Sequence, residues 1–246
     1  DGTCMEGLDY FSYGFAYYVG FAEMLQRYTN GKTDLLAQGK CHKIALFQQK
    51  CYFPSGRTLS FSDGSSHGNY QMGLTCYLAM RYPDMIPPVD VARGFEGDSC
   101  YRFMSNLRDV LWTREYLKEE EKKQAEADTE NVMVLTAAQW NIAHGKSGGG
   151  MACKGGHNGE PHNHNDVGSF LYMLGDEMLL TDLGAGEYTR QYFGPERYQI
   201  LCNNSFGHSD PILDGEGQKD GAEYGSSSFE ADGRGGCEIH FAGAYG

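Results

Sequence analysis

Residues 154–184 read KGGHNGEPHNHNDVGSFLYMLGDEMLLTDLG and carry both a fold signal and the densest polar cluster of the chain. Phe170-Leu171-Tyr172-Met173-Leu174 and Met178-Leu179-Leu180 have strand character, and Gly175-Asp176 between them is a hairpin turn signal. Just upstream stand His162, His164 and Asp166. Alternate residues of an extended chain share a face, so these three are expected to point the same way. Two imidazoles two residues apart on a strand make a half-site for a divalent metal. His164 with Asp182, 18 residues on, and His208, 44 residues on, gives an N/N/O donor set suited to zinc. A two-residue turn at Gly175-Asp176 pairs 174 with 177, hence Ser169 with Asp182. The chain must then bend for His164 and Asp182 to meet one ion. The blander reading is that these polar groups only satisfy the backbone of a loop.

Outward from this stretch the chain divides in two. Before it, Tyr10, Tyr13, Tyr17, Phe21, Met24 and Tyr28 recur at spacings of three and four, one face of a helix that Asn30-Gly31 ends. On periodicity alone, Tyr10 belongs to a core-facing stripe. Similar apolar spacing over 34–51, 70–82 and 97–116 predicts further helices. Turn chemistry at Pro54-Ser55-Gly56, Ser62-Asp63-Gly64-Ser65-Ser66 and from Pro83 to Pro88 separates them. Residues 117–128, LKEEEKKQAEAD, read as a solvated helix end or linker, with Glu119 four before Lys123. After about residue 130 the character turns to strands, beginning with Val132-Met133-Val134-Leu135. The expectation is α+β: an all-α part over 1–130, then an all-β part over 131–246. The closing Glu238-Ile239-His240-Phe241 reads as a strand without its partner, and both ends of the chain look cut.

Composition narrows the function. The chain has 246 residues with a formal net charge of −13, which argues against a general nucleic-acid binder. No long window lacks charges, so no membrane-spanning helix is expected. With 40% hydrophobic residues the chain can bury a core, and 34 glycines, about twice the usual share, promise many turns. None of the eight cysteines forms a C-x-x-C pair, and free thiols are expected. There is no G-x-S-x-G elbow, and the glycines at 148–150 lack the strand-to-helix setting of a nucleotide loop. Trp112 and Trp140 read as core rather than sugar platforms.

The stretch from Lys154 to Tyr198, KGGHNGEPHNHNDVGSFLYMLGDEMLLTDLGAGEYTRQYFGPERY, followed by SFGHSDPILDGEGQ, closely resembles the heparinase II/III-like polysaccharide lyases. The opening DGTCMEGLDYFSYGF resembles a helix of the α/α toroid in the same group. The resemblance implies the end of an incomplete α/α toroid (1–130) and the start of an antiparallel β-sandwich (131–246), with the active site between them. It implies β-elimination on an anionic, uronate-containing polysaccharide, glycosaminoglycan- or alginate-like. Carried across residue by residue, Tyr10 matches the general acid, which in some members is also the base. His162 matches the catalytic histidine, and His164, Asp182 and His208 match the ligands of a zinc ion found in some members. His157, Glu160, Tyr188 and Arg190 fall where substrate contacts are common. The family's carboxylate-neutralising Asn or His lies upstream of its toroid helix, outside this sequence, so the isolated chain is expected to be inactive or nearly so. A periplasmic or extracellular setting follows from the resemblance, with the cytoplasm as the alternative.

The chemistry gives those roles a reason. The C5 proton of a uronate is only weakly acidic while its carboxylate is charged. A lyase must neutralise that carboxylate, remove the proton and protonate the departing O4. Histidine suits the base because its ordinary pKa lies near working pH. Tyrosine, near 10, holds a proton to donate. Zinc behind His164 would stiffen the loop that carries His162. The net charge of −13 fits an anionic substrate only if local cations dominate, and Lys146, Lys154, Arg190 and Arg197 cluster near the motif. The competing readings are a zinc hydrolase and a non-catalytic sugar-binding relative.

Overall fold

The computed structural model describes residues 1–53, 56–68, 70–87, 102–120, 132–145 and 148–246. The expected boundary near 128–131, the Glu119–Lys123 pair, the Pro54-Ser55 turn, Pro88, Cys100 and Lys146 lie outside them. The chain is a mixture of helices and antiparallel sheet, an α+β arrangement.

Helix α1 (Leu8–Tyr28) forms where the periodicity placed it. Its end follows from Asn30, which adopts a left-handed φ of 49°, and from Gly31, whose N–H caps the Gln26 carbonyl. The buried face, however, is Leu8, Phe11, Phe15, Val19 and Ala22. The aromatic stripe through Tyr13, Tyr17, Phe21, Met24 and Tyr28 faces outward. α1 is apolar along two faces, and spacing alone cannot tell which one packs.

Four further α-helices follow among the described residues: α2 (Gly39–Ala45), α3 (Phe47–Lys50), α4 (Met72–Arg81) and α5 (Phe103–Glu120). The expected single helix over 34–51 is thus broken, and it begins as a short 3₁₀ turn capped by Asp34, whose carboxylate accepts from Leu36 N–H.

The second half holds a five-stranded antiparallel sheet in the order β1 (Val132–Leu135), β2 (Trp140–His144), β3 (Gly150–Lys154), β5 (Phe170–Leu174), β6 (Glu177–Leu180). β4 (His157–Asn158) pairs with β7 (Gly221–Gly225). β8 (Ser228–Ala231) pairs with β9 (Cys237–His240), so the last strand has a partner after all.

The β5–β6 hairpin starts in the predicted register, Leu174 opposite Glu177 and Met173 opposite Met178. A bulge then sets Tyr172 opposite Leu180, and the pairing does not reach Ser169 and Asp182. The extra residue bends the strand and releases Asp182 from the ladder.

One core spans both halves. Trp140 of β2 packs on Phe47 of α3 and on Phe61, with ring centroids 6.0 and 5.2 Å apart. Trp112 and Trp140 are both buried, as expected. The cysteines among the described residues are free thiols. Among the described residues no helix is long and apolar enough to cross a membrane.

Candidate active site

The loop between Thr58 and Gly68 carries Asp63 from the helical half onto the β half. Ser60 Oγ donates to the Asp182 carbonyl, and Ala185 N–H to that of Gly64. Gly184 has a φ of +64°, and a Cβ there would lie 2.2 Å from the Gly64 oxygen, so only glycine permits this approach. Ser62, also left-handed at φ 57°, is held by its hydroxyl on the Met5 carbonyl at 2.8 Å.

Around Asp63 the site closes. Tyr10, in the first turn of α1, lays its ring on that of His162 with centroids 4.0 Å apart. The Tyr10 and Tyr188 hydroxyls are 3.0 Å apart. Tyr188 donates to Asp63 Oδ2 at 2.8 Å, and His162 Nδ1 meets the same oxygen at 2.6 Å. A carboxylate only accepts, so the single Tyr188 proton is committed to Asp63, and Tyr10 donates to Tyr188. Asp63 Oδ1 accepts from His164 Nε2 at 3.0 Å, from Arg197 at 3.2 Å and from the Tyr192 hydroxyl. Burial pushes the Asp63 carboxyl up, but its hydrogen bonds from His164, Tyr192, Tyr188 and His162 outweigh this and hold it well below the usual range. Burial, together with bonding to Tyr10 and Asp63, raises the Tyr188 phenol, so it stays protonated.

The histidine motif is not a strand. His162 adopts φ 53°, and residues 159–169 form turns and loop. His162 and His164 converge on one carboxylate from opposite ends, while Asp166 turns away to ion-pair with Lys154 at 2.8 Å. The expected common face of His162, His164 and Asp166 is therefore absent, because the left-handed residue breaks the alternation.

His164, Asp182 and His208 do come together, with one donor atom from each within 4.8 Å of the others. His208 Nδ1 lies 2.7 Å from Asp182 Oδ2, and its Nε2 lies 3.0 Å from the Cys202 carbonyl. Burial would lower the His208 pKa, but the Asp182 carboxylate overrides it and pushes it up to about 9. His164 Nδ1 is buried with no hydrogen-bond partner among the described residues, while its Nε2 is satisfied by Asp63. An imidazole with one nitrogen on a carboxylate and the other free is the arrangement of a metal ligand with its outer partner. Asp210, two residues past His208, also buries both carboxylate oxygens without partners among the described residues. The donor set thus fits a divalent cation such as zinc.

The remaining site candidates separate. Tyr188 joins the site and is partly exposed, while Arg190 and His157 on β4 are exposed and stand outside its hydrogen-bonded group. Glu160 is buried against Lys154, Oε2 3.8 Å from Nζ, which removes it from direct substrate contact. Lys154 is itself buried: its burial cost is outweighed by Asp166 and Glu160, which hold it charged. It offers no surface cation, and Arg197 is spent on Asp63, Asn163 and Tyr192. Of the four cations expected to draw an anionic polymer, Arg190 alone is exposed, among the described residues.

The sequence reading misses Asp63. SDGSS reads as turn chemistry, and nothing local distinguishes a turn aspartate from one that anchors five side chains. The sequence also leaves Tyr192 unnamed and offers Arg197 only as a cation near the motif.

No protein-family model matches the sequence, and no curated protein does. Solved structures share the fold, two of them being of one enzyme. The heparan sulfate lyase HepC from Pedobacter heparinus superposes with a TM-score of 0.61 at 17% identity, over 94% of this chain and 33% of that one. A mutant of the same enzyme gives 0.56 at 16% identity, again over 94% and 33%. The chain thus spans about a third of the length of these structures, and over that third it has the fold of the heparan sulfate lyase.

Proposed function

We propose that this chain carries part of the active site of a polysaccharide lyase that cleaves uronate-containing polymers by β-elimination. The single observation that carries the reading is the packing of Tyr10 on His162 within one hydrogen-bonded group, at the seam between helical and β halves. The shared fold with a heparan sulfate lyase structure supports it. In this reading the helices belong to an incomplete α/α toroid and the five-stranded sheet begins an antiparallel β-sandwich.

The proposed step is balanced. His162 Nε2 takes the C5 proton, the electron pair forms the C4–C5 double bond, and the C4–O4 bond breaks. Tyr10 gives its proton to O4. The net change is a proton moved from C5 to O4, and His162 returns its proton to Tyr10 to reset the site. Before substrate enters, the Tyr10 hydroxyl donates to Tyr188. General acid–base catalysis of this kind contributes on the order of 10²- to 10⁴-fold per group. Tyr188, whose hydroxyl joins Tyr10 to Asp63, and the exposed Arg190 and His157 are the proposed substrate contacts.

His164, Asp182 and His208 would hold a zinc ion, whose contribution when bound is to stiffen the loop bearing His162. The chain's residues move the protons.

The test incubates the protein, as this chain and in any longer form that carries it, with a panel of uronate polysaccharides, following the ultraviolet absorbance of the new double bond. A rise abolished by His162→Ala and Tyr10→Phe supports the reading. Reducing ends without a double bond, stopped by a chelator, would replace it with a zinc hydrolase. Binding with no product from any form would leave a sugar-binding relative.

A further inference from the structure

We propose that Asp63 is a positioning residue: its Oδ2 fixes the His162 ring as the Nδ1–H tautomer, so that Nε2 is the nitrogen presented to substrate. The inference rests on the lyase reading for its purpose, but its geometry stands apart from that reading. His162 Nδ1 lies 2.6 Å from Asp63 Oδ2, and a carboxylate has no proton to give, so the shared proton belongs to Nδ1. His162 Nε2 makes no hydrogen bond to the described residues, and the side chain keeps 23% of its surface accessible. An open nitrogen without a proton is the accepting face that a base requires.

Asp63 is built to do this without moving. Its side chain has no accessible surface. Five donors converge on its two oxygens: His162 and Tyr188 on Oδ2, and His164, Tyr192 and Arg197 on Oδ1. That exceeds the roughly four lone-pair directions a carboxylate offers, so rotation would break several bonds at once. The same carboxylate touches the inward nitrogen of His164 with one oxygen and the ring of His162 with the other. Asp63 comes from the helical half and His162 from the β half. The orientation of the proposed base therefore depends on how the two halves dock.

The test reads the tautomer directly. Long-range proton–nitrogen NMR of the whole chain is recorded at a pH where the His162 ring is neutral, with the signal assigned by its loss in His162→Gln. The expected spectrum has a protonated Nδ1 and a bare Nε2. An Nε2–H ring in the unaltered protein overturns the proposal. In Asp63→Asn, which keeps the shape, the ring should shift toward the Nε2–H form, and an unchanged tautomer overturns the proposal. In any form of the protein that turns over, Asp63→Asn should lower kcat on the order of 10²- to 10⁴-fold, the contribution of a general base, with KM changed less than about threefold. An equal loss through KM alone contradicts a positioning role. Should the lyase assay fail on every form, the spectra still decide the tautomer.

Discussion

The rings of Tyr10 and His162 lie 4.0 Å apart at 34°, although they come from opposite halves of the chain. Neither ring holds the other alone. Tyr10 reaches Asp63 through the Tyr188 hydroxyl, and His162 reaches it directly. A helix turn, a loop of the helical half and two loops of the β half must dock together before the pair exists.

Lys154 should be a stability residue rather than a binding one. Its ammonium is buried between Asp166 and Glu160. Lys154→Met removes one partner and strands the Asp166 charge, which costs about 3–5 kcal/mol. Urea denaturation should register the loss, and the double variant with Asp166→Asn should recover part of it. A loss under about 1 kcal/mol would contradict the assignment.

Metal should stabilise the chain through His164, Asp182 and His208. Zinc at a hundredfold excess over its Kd should raise stability by about 2.7 kcal/mol. A chelator should reverse the rise in Tm, and His208→Ala should abolish the response. A response that survives His208→Ala would locate the ion elsewhere.

Acid should weaken the fold through Asp34 and Asp63. Burial raises both carboxyls, but Arg81 and the Leu36 N–H for Asp34, and the hydrogen bonds from His164, Tyr192, Tyr188 and His162 for Asp63, bring each below the ordinary 3.8. A carboxylate with a depressed folded pKa contributes stability that is fully present above its unfolded value and lost as pH falls through the folded one. The urea midpoint should therefore fall steadily below about pH 4. Asp34→Asn should flatten that fall. A midpoint that does not fall below about pH 4 would contradict both assignments.

What the sequence made legible follows from the range over which each signal acts. The end of α1 at Asn30-Gly31 and the Gly175-Asp176 hairpin rest on local backbone preferences, and both stand where the residues put them. The bulge between Tyr172 and Met173 depends on where the rest of the chain needs Asp182, and no local rule reveals it. The buried face of α1 was hidden because both of its faces are apolar. Lys154 reads as a cation near the motif and Glu160 as a substrate contact, since only the tertiary fold shows that each finds a buried partner. Asp63 was invisible for the opposite reason: its turn chemistry explained it too well, and its five donors all lie distant in sequence.

The most direct measurement is the ultraviolet absorbance of the C4–C5 double bond on uronate polymers, for the protein with and without Tyr10→Phe and His162→Ala. The account predicts a rise in some form carrying this chain that each substitution lowers by about 10²-fold or more. A rise that survives both substitutions would contradict it, because the chemistry would then lie away from the contact between Tyr10 and His162.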